Sequence, residues 1–176
     1  MLARLQDEQP SENAEIITLA FHVDYWDYLG WKDAFSSAEF SRRQDVYSNA
    51  LNLNSSYTPQ MIVDGKTEFV GSNWNKAVLE IGKSLEKASI EILPNGELLK
   101  IKIDELNLEE DSQVLLAIAE SNLETSIKRG ENEGRKLSHS SVVRSFKIVG
   151  NINSSNKNFE IETPLLINAD WKRKDL

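Results

Sequence analysis

The residues best suited to chemistry lie close together near the front of the sequence. His22, Asp24 and Asp27 share one short stretch. An imidazole beside carboxylates can hold a divalent ion or move protons. The other histidine, His139, is far along the chain. The residues therefore favour a hydrogen-bonded histidine with loop-capping aspartates, and no metal or other cofactor is expected. Tyr25, Trp26, Tyr28 and Trp31 are interleaved with them. These aromatics are either a packed cap on a sheet or a platform for a peptide or ligand. Thr58, Pro59 and Gln60 make a second candidate stretch. It is either a strand-entry turn or a backbone offered to an extended peptide. His139 with Arg144 reads as a surface or domain-contact pair, and Glu109, Glu110 and Asp111 as a solvated acidic turn.

Other chemistries are excluded by composition. The 176 residues include no cysteine, so this chain has no disulfide, thiolate metal site or thiol nucleophile. No Ser/His/Asp pattern, phosphate-binding glycine loop or zinc motif is present. The net charge is −8 and the pI about 4.9, which repels phosphate backbones. Nucleic acid is rejected as a partner, and Lys172-Arg173-Lys174 is read as a solvated tail. No apolar run approaches the roughly 20 residues that span a bilayer, so no integral membrane segment is expected. The stretch MLARLQDEQP lacks the apolar centre of a signal peptide.

The elements that must position these residues can be read from periodicity. Met1 to Gln9 has helical spacing and stops at Pro10. Ile16 to Val23 is nearly continuous apolar sequence, expected as a parallel strand buried on both faces. Asp24 to Phe35 reads as a loop. A helix then runs to about Leu53, with Ser36 as its cap and Glu39 completing a capping box. Met61 to Val63 and Thr67 to Val70 form a hairpin around Asp64-Gly65. Ser72 or Asn73 caps a third helix, with Trp74, Ala77, Val78, Ile81, Leu85 and Ala88 on one face. After Ala88 the pattern becomes antiparallel β: Ser89 to Leu93, Leu98 to Ile103, Gln113 to Glu120, Val142 to Val149 and Phe159 to Ile161, with Ser126 to Ser141 a polar loop. Two parts are expected, an α/β part over 1–88 and an antiparallel β-rich part over 89–176.

Three stretches, HVDYWDYLGWKDAF (His22 to Phe35), YTPQMIVDG (Tyr57 to Gly65) and the looser GRKLSHSSVVR (Gly134 to Arg144), resemble a known family. It is the secreted bacterial thioredoxin-like family catalogued as domain of unknown function twelve-twenty-three. The resemblance covers nearly the whole chain. It implies an incomplete thioredoxin-like α/β fold, with the first strand, the Cys-x-x-Cys segment and a last strand outside this sequence. It also implies a cis-proline at Pro59, on the rim that would face such cysteines. Asp24 would then be a proton acceptor for a thiol in a complete member. In that frame His22, Asp24, Tyr25, Trp26, Asp27, Trp31, Thr58, Pro59 and Gln60 border one groove.

Three functions are compatible with these features. The chain is part of an exported thiol-disulfide oxidoreductase-like protein, without dithiol activity as it stands. Alternatively, it is a non-catalytic module that binds a peptide or protein partner in the groove. The third is a structural envelope protein. The resemblance implies an extracytoplasmic setting. An exposed edge on the Ile16 strand is expected to favour oligomerisation.

Overall fold

A computed structural model describes residues 1–12, 14–84, 88–127 and 133–176. It is a mixed α/β chain, mostly β, whose sheets have antiparallel pairings. Two compact units emerge. The first comprises Met1–Leu85 and Ala119–Val143, and the second Glu86–Ile118 and Arg144–Leu176. The first crossing between them falls between residues 85 and 86. Residues 119–143, which follow in chain order, group in space with the first.

In the first unit, helix α1 (Leu2–Glu8) buries Leu5, which is only 2% exposed. Two glutamines fasten it. The Gln9 side chain brackets Ile16, with Ile16 N donating to Oε1 (2.7 Å) and Nε2 donating to Ile16 O (2.9 Å). Gln6 Oε1 accepts from Thr18 Oγ1 (2.9 Å) and Ser141 Oγ (2.6 Å), so these buried hydroxyls are satisfied. The segment Ile16 to Val23 departs from the expected two-faced strand. Ile16 and Thr18 are buried but Ile17 is 78% exposed. Alternate burial is the pattern of a segment covered on one face. Among the described residues its sheet contact is the parallel bridge Ala20 to Val142, with Ala20 N bonded to Ser141 O and Val143 N to Ala20 O.

Helix α2 (Ala38–Ala50) is capped by Ser37, one residue later than expected; its Oγ accepts from Glu39 N at 3.2 Å. Ser36 is engaged elsewhere, donating to Asp27 Oδ2. Strands β1 (Gln60–Val63) and β2 (Thr67–Val70) form the expected hairpin. Asp64 (φ 53°) and Gly65 (φ 70°) both take the left-handed conformation that a type I′ turn needs, closed by Lys66 N to Val63 O. Helix α3 (Trp74–Ile81) is capped by Asn73, whose Oδ1 accepts from Lys76 N. It ends at Gly82, short of the expected Ala88. Leu85 lies outside the described residues. Leu5, Ile16, Met61, Phe69, Ala77 and Ile81 form this unit's core.

The second unit holds strands β3 (Ser89–Asn95) and β4 (Leu98–Asp104), which pair across a turn with Gly96 at φ 63°. Strand β5 (Ser112–Glu120) starts here and ends in the first unit. The segment expected as a polar loop, Ser126 to Ser141, instead carries half of a hairpin in the first unit. There β6 (Leu123–Ser126) pairs with β7 (Lys136–His139). The alternation in these strands is of polar residues, so they lacked a hydrophobic signal. Strand β8 (Val142–Ile152) pairs with β5, and β9 (Phe159–Pro164) with β4. Leu99, Ile101, Ile103, Leu106, Leu116 and Ile152 form the second core, and Ala88 packs against it. Ala88 is thus part of this core and not of α3.

Candidate functional site

The candidate residues lie in the first unit on two segments, His22 to Trp31 and Thr58 to Gln60 at the start of β1, and helix α2 stands against both. Trp26 bridges two of these segments. Its indole Nε1 donates to Thr58 Oγ1 at 2.9 Å, and both residues are exposed. Tyr25 meets the Trp26 ring edge-on at 5.4 Å and donates its hydroxyl to Gln44 Oε1 (2.9 Å). Gln44 Nε2 in turn donates to Tyr57 O (2.8 Å) and Gln60 Oε1 (2.9 Å). One glutamine on α2 therefore holds both sides of the rim at a fixed spacing. The Thr58–Pro59 bond is cis, and Pro59 O accepts from Gly71 N (2.8 Å).

Behind the rim, Tyr57 donates to Glu68 Oε2, which also accepts from Gln60 Nε2 at 3.3 Å. Burial, followed by the Glu68 hydrogen bond and charge, pushes the Tyr57 hydroxyl up to about 12. It stays a neutral donor throughout the physiological range. Burial likewise raises Tyr25, against the lowering effect of its Gln44 and Thr58 hydrogen bonds. The rim offers neutral hydroxyl, amide and indole groups beside aromatic faces, which suits binding of uncharged backbone and apolar side chains.

The acidic members and the histidine of the candidate set do a different job. Asp24 Oδ1 accepts from Ser41 Oγ (2.6 Å), and Asp24 N donates back to that oxygen (3.0 Å), tying the loop to α2. Asp27 accepts from Asp33 N (3.1 Å) and Ser36 Oγ (2.8 Å). His22 Nδ1 bonds Asp33 Oδ2 at 2.6 Å. These residues brace the loop. Trp31 is half-buried, and among the described residues no hydrogen bond or ring contact links it to either group.

Two partners were not paired by sequence reasoning. His139, on β7, places its ring 5.3 Å from that of His22, with Phe35 edge-on to both. His139 Nε2 is 2.7 Å from Thr125 Oγ1. Burial, then the positive charge of His22, lowers His139, with Asp33 opposing. For Asp33, burial pushes upward, but the His22 and Phe35 hydrogen bonds and the two histidine charges outweigh it and leave the carboxyl low. Among the described residues, no group of three His, Asp or Glu side chains converges closely enough to hold a metal ion. Gln44 had a legible signal: it occupies a polar position on the stripe of Phe40, Tyr47 and Leu51. His139 had none, because strand pairing alone brings it near His22. Elsewhere, a concavity of about 500 Å³ in the second unit is lined by Asp111, Ser112, Gln113 and Asn151 to Asn153. Asp111 Oδ1 there already accepts from Ser154 N.

A family model matches residues 1–175 of the chain. This chain belongs to the family described as Protein of unknown function (DUF1223). Its fold is similar to that of protein AGR_C_4864 from Agrobacterium tumefaciens, known from an X-ray structure, at a TM-score of 0.77 and 25% sequence identity. That match covers 93% of this DUF1223 chain and 69% of the other. No curated protein matches the chain. No helix among the described residues is long and apolar enough to cross a membrane.

Proposed function

We propose that this DUF1223 chain is a peptide-binding module on a thioredoxin-like scaffold. Its rim of Tyr25, Trp26, Thr58, Pro59 and Gln60 takes an extended segment of a partner protein, in an extracytoplasmic setting. The observation that carries this reading is the Trp26 to Thr58 bridge at 2.9 Å. It joins an exposed aromatic platform to the chain entering β1, so the Trp26 ring stands beside Thr58. Aromatic anchors supply most of the energy at such surfaces, and backbone hydrogen bonds align the guest. His22, Asp24 and Asp27 brace the loop that carries the platform.

An oxidoreductase role rests on resemblance alone. Dithiol exchange needs an attacking thiolate and a resolving thiol, and the 176 residues hold no cysteine. Binding needs only residues this chain has. The test is selection of linear, cysteine-free peptides from a displayed library, followed by affinity measurement. Thr58→Val and Trp26→Ala should each weaken the selected peptides about tenfold, the scale of one lost anchor or charged-free hydrogen-bond pair. Both residues are exposed, so the variants retain the fold. Peptides that bind both variants as well as the parent chain refute the rim as the binding surface.

A further inference from the structure

Strand β3 is the outer strand of the sheet ordered β3-β4-β9, and all seven of its residues are exposed. Its register shows that this exposure is unusual. Ile90 and Ile92 lie directly opposite Ile103 and Ile101, which belong to the buried core. They sit on the core-facing side of the sheet, yet are 63% and 53% exposed. Their counterparts on β9, Phe159 and Ile161, pack against the core. The apolar layer thus covers β4 and β9 but stops short of β3. An outer strand with an apolar face and open backbone groups is a template for one more strand.

The opposite face of the sheet specifies which strand. Charges there alternate in sign from strand to strand. Glu160 on β9 binds Lys100 on β4 at 2.6 Å, and Lys102 on β4 reaches Glu91 on β3 at 3.8 Å. The order is acid, base, acid, and Glu91 is the last member. Directly opposed charges of unlike sign stabilise a strand pair, and like charges oppose it. A β3-to-β3 pairing with a second copy would bring Glu91 near its own equivalent. Pro94 lacks an N–H and ends the run able to pair, which leaves Ser89 to Leu93.

We infer that the β3 edge docks an extended segment of another protein, five residues or so in length, that alternates apolar residues with lysine or arginine. Its apolar side would cover Ile90 and Ile92, and its cations would face Glu91. The pattern is that of β4 itself, Leu99-Lys100-Ile101-Lys102-Ile103. This surface is independent of the rim at Trp26.

The probe is a capped heptapeptide alternating isoleucine and lysine, N-methylated along one edge to stop self-pairing, with a glutamate counterpart as comparison. Binding to the full chain is measured by fluorescence anisotropy. The lysine peptide should bind, and Glu91→Lys should weaken it about tenfold while strengthening the glutamate peptide. That reversal separates a local contact from general attraction to a chain of net charge −8. Glu91 is exposed, so the variant folds, and circular dichroism checks this. Equal binding of the two peptides, or no binding of the lysine peptide at about 1 mM, overturns the inference. So does a dimer of the parent chain that Glu91→Lys dissociates, because a second copy would then be the occupant.

Discussion

Gln44 receives the Tyr25 hydroxyl and donates to both Tyr57 O and Gln60, so one side chain sets the distance across the rim. A polar residue on an otherwise apolar helix stripe usually costs stability unless each of its groups is bonded, and here the amide oxygen and nitrogen are both engaged. Charge enters nearby, at the His22, Asp33 and His139 cluster. His139 is lowered from 6.5, chiefly by burial and then by His22. A lowered folded value means that the unfolded chain binds the proton more tightly. The stabilising contribution of neutral His139 is therefore complete above pH 6.5 and is lost as pH falls below it. His139→Gln should flatten this acid-side decline in unfolding free energy measured by urea titration. An unchanged slope in the variant would place the titration in another group. The cluster also shows the limit of reading residues singly. Tyr25, Trp26 and Thr58 were singled out residue by residue, whereas the neighbour of His22 was hidden because the bridge between Ala20 and Val142 brings His139 there from a distant part of the sequence.

The elements follow local chemistry closely where the signals are strong. The β1–β2 hairpin, its Asp64-Gly65 turn and the Asn73 cap of α3 appear as expected because turn and cap residues specify backbone angles directly. Adjacent serines defeated the cap of α2. Either could accept the orphan N–H, and only the pull of Asp27 on Ser36 decides for Ser37. Ser37→Ala should cost about 1 kcal/mol of stability. Ser36→Ala should mainly loosen the Asp27 loop, seen as faster amide exchange over Asp27 to Asp33. Equal stability losses would contradict this division of roles. The polar hairpin β6–β7 and the one-faced Ile16 segment were illegible because burial pattern depends on which neighbours cover a strand. Close approach matters too. A methyl added at Gly150 on β8 would stand 2.3 Å from the Phe159 ring on β9. Gly150→Ala should therefore destabilise the second unit by about 1–3 kcal/mol, read from thermal melting; a neutral effect would show that the Phe159 ring has room to move.

Across the whole molecule, each of the two units closes its own core. The sequence suggests two consecutive parts, 1–88 and 89–176, whereas the compact units are Met1–Leu85 with Ala119–Val143 and Glu86–Ile118 with Arg144–Leu176. Strands β5 and β8 run from one unit into the other, a consequence of long-range pairing that periodicity does not encode. The 176 residues hold no cysteine, and the Trp26 to Thr58 hydrogen bond joins the loop to the approach to β1. Binding without thiol exchange is the use that this combination supports.

The most direct measurement follows the indole N–H of Trp26 by NMR as a selected linear peptide is added to the isotopically labelled chain. The account predicts that this resonance shifts on titration, together with the Thr58 and Gln60 amides, and that Thr58→Val abolishes the saturable change. Saturable binding that leaves those three signals in place and moves residues of the second unit instead would contradict it.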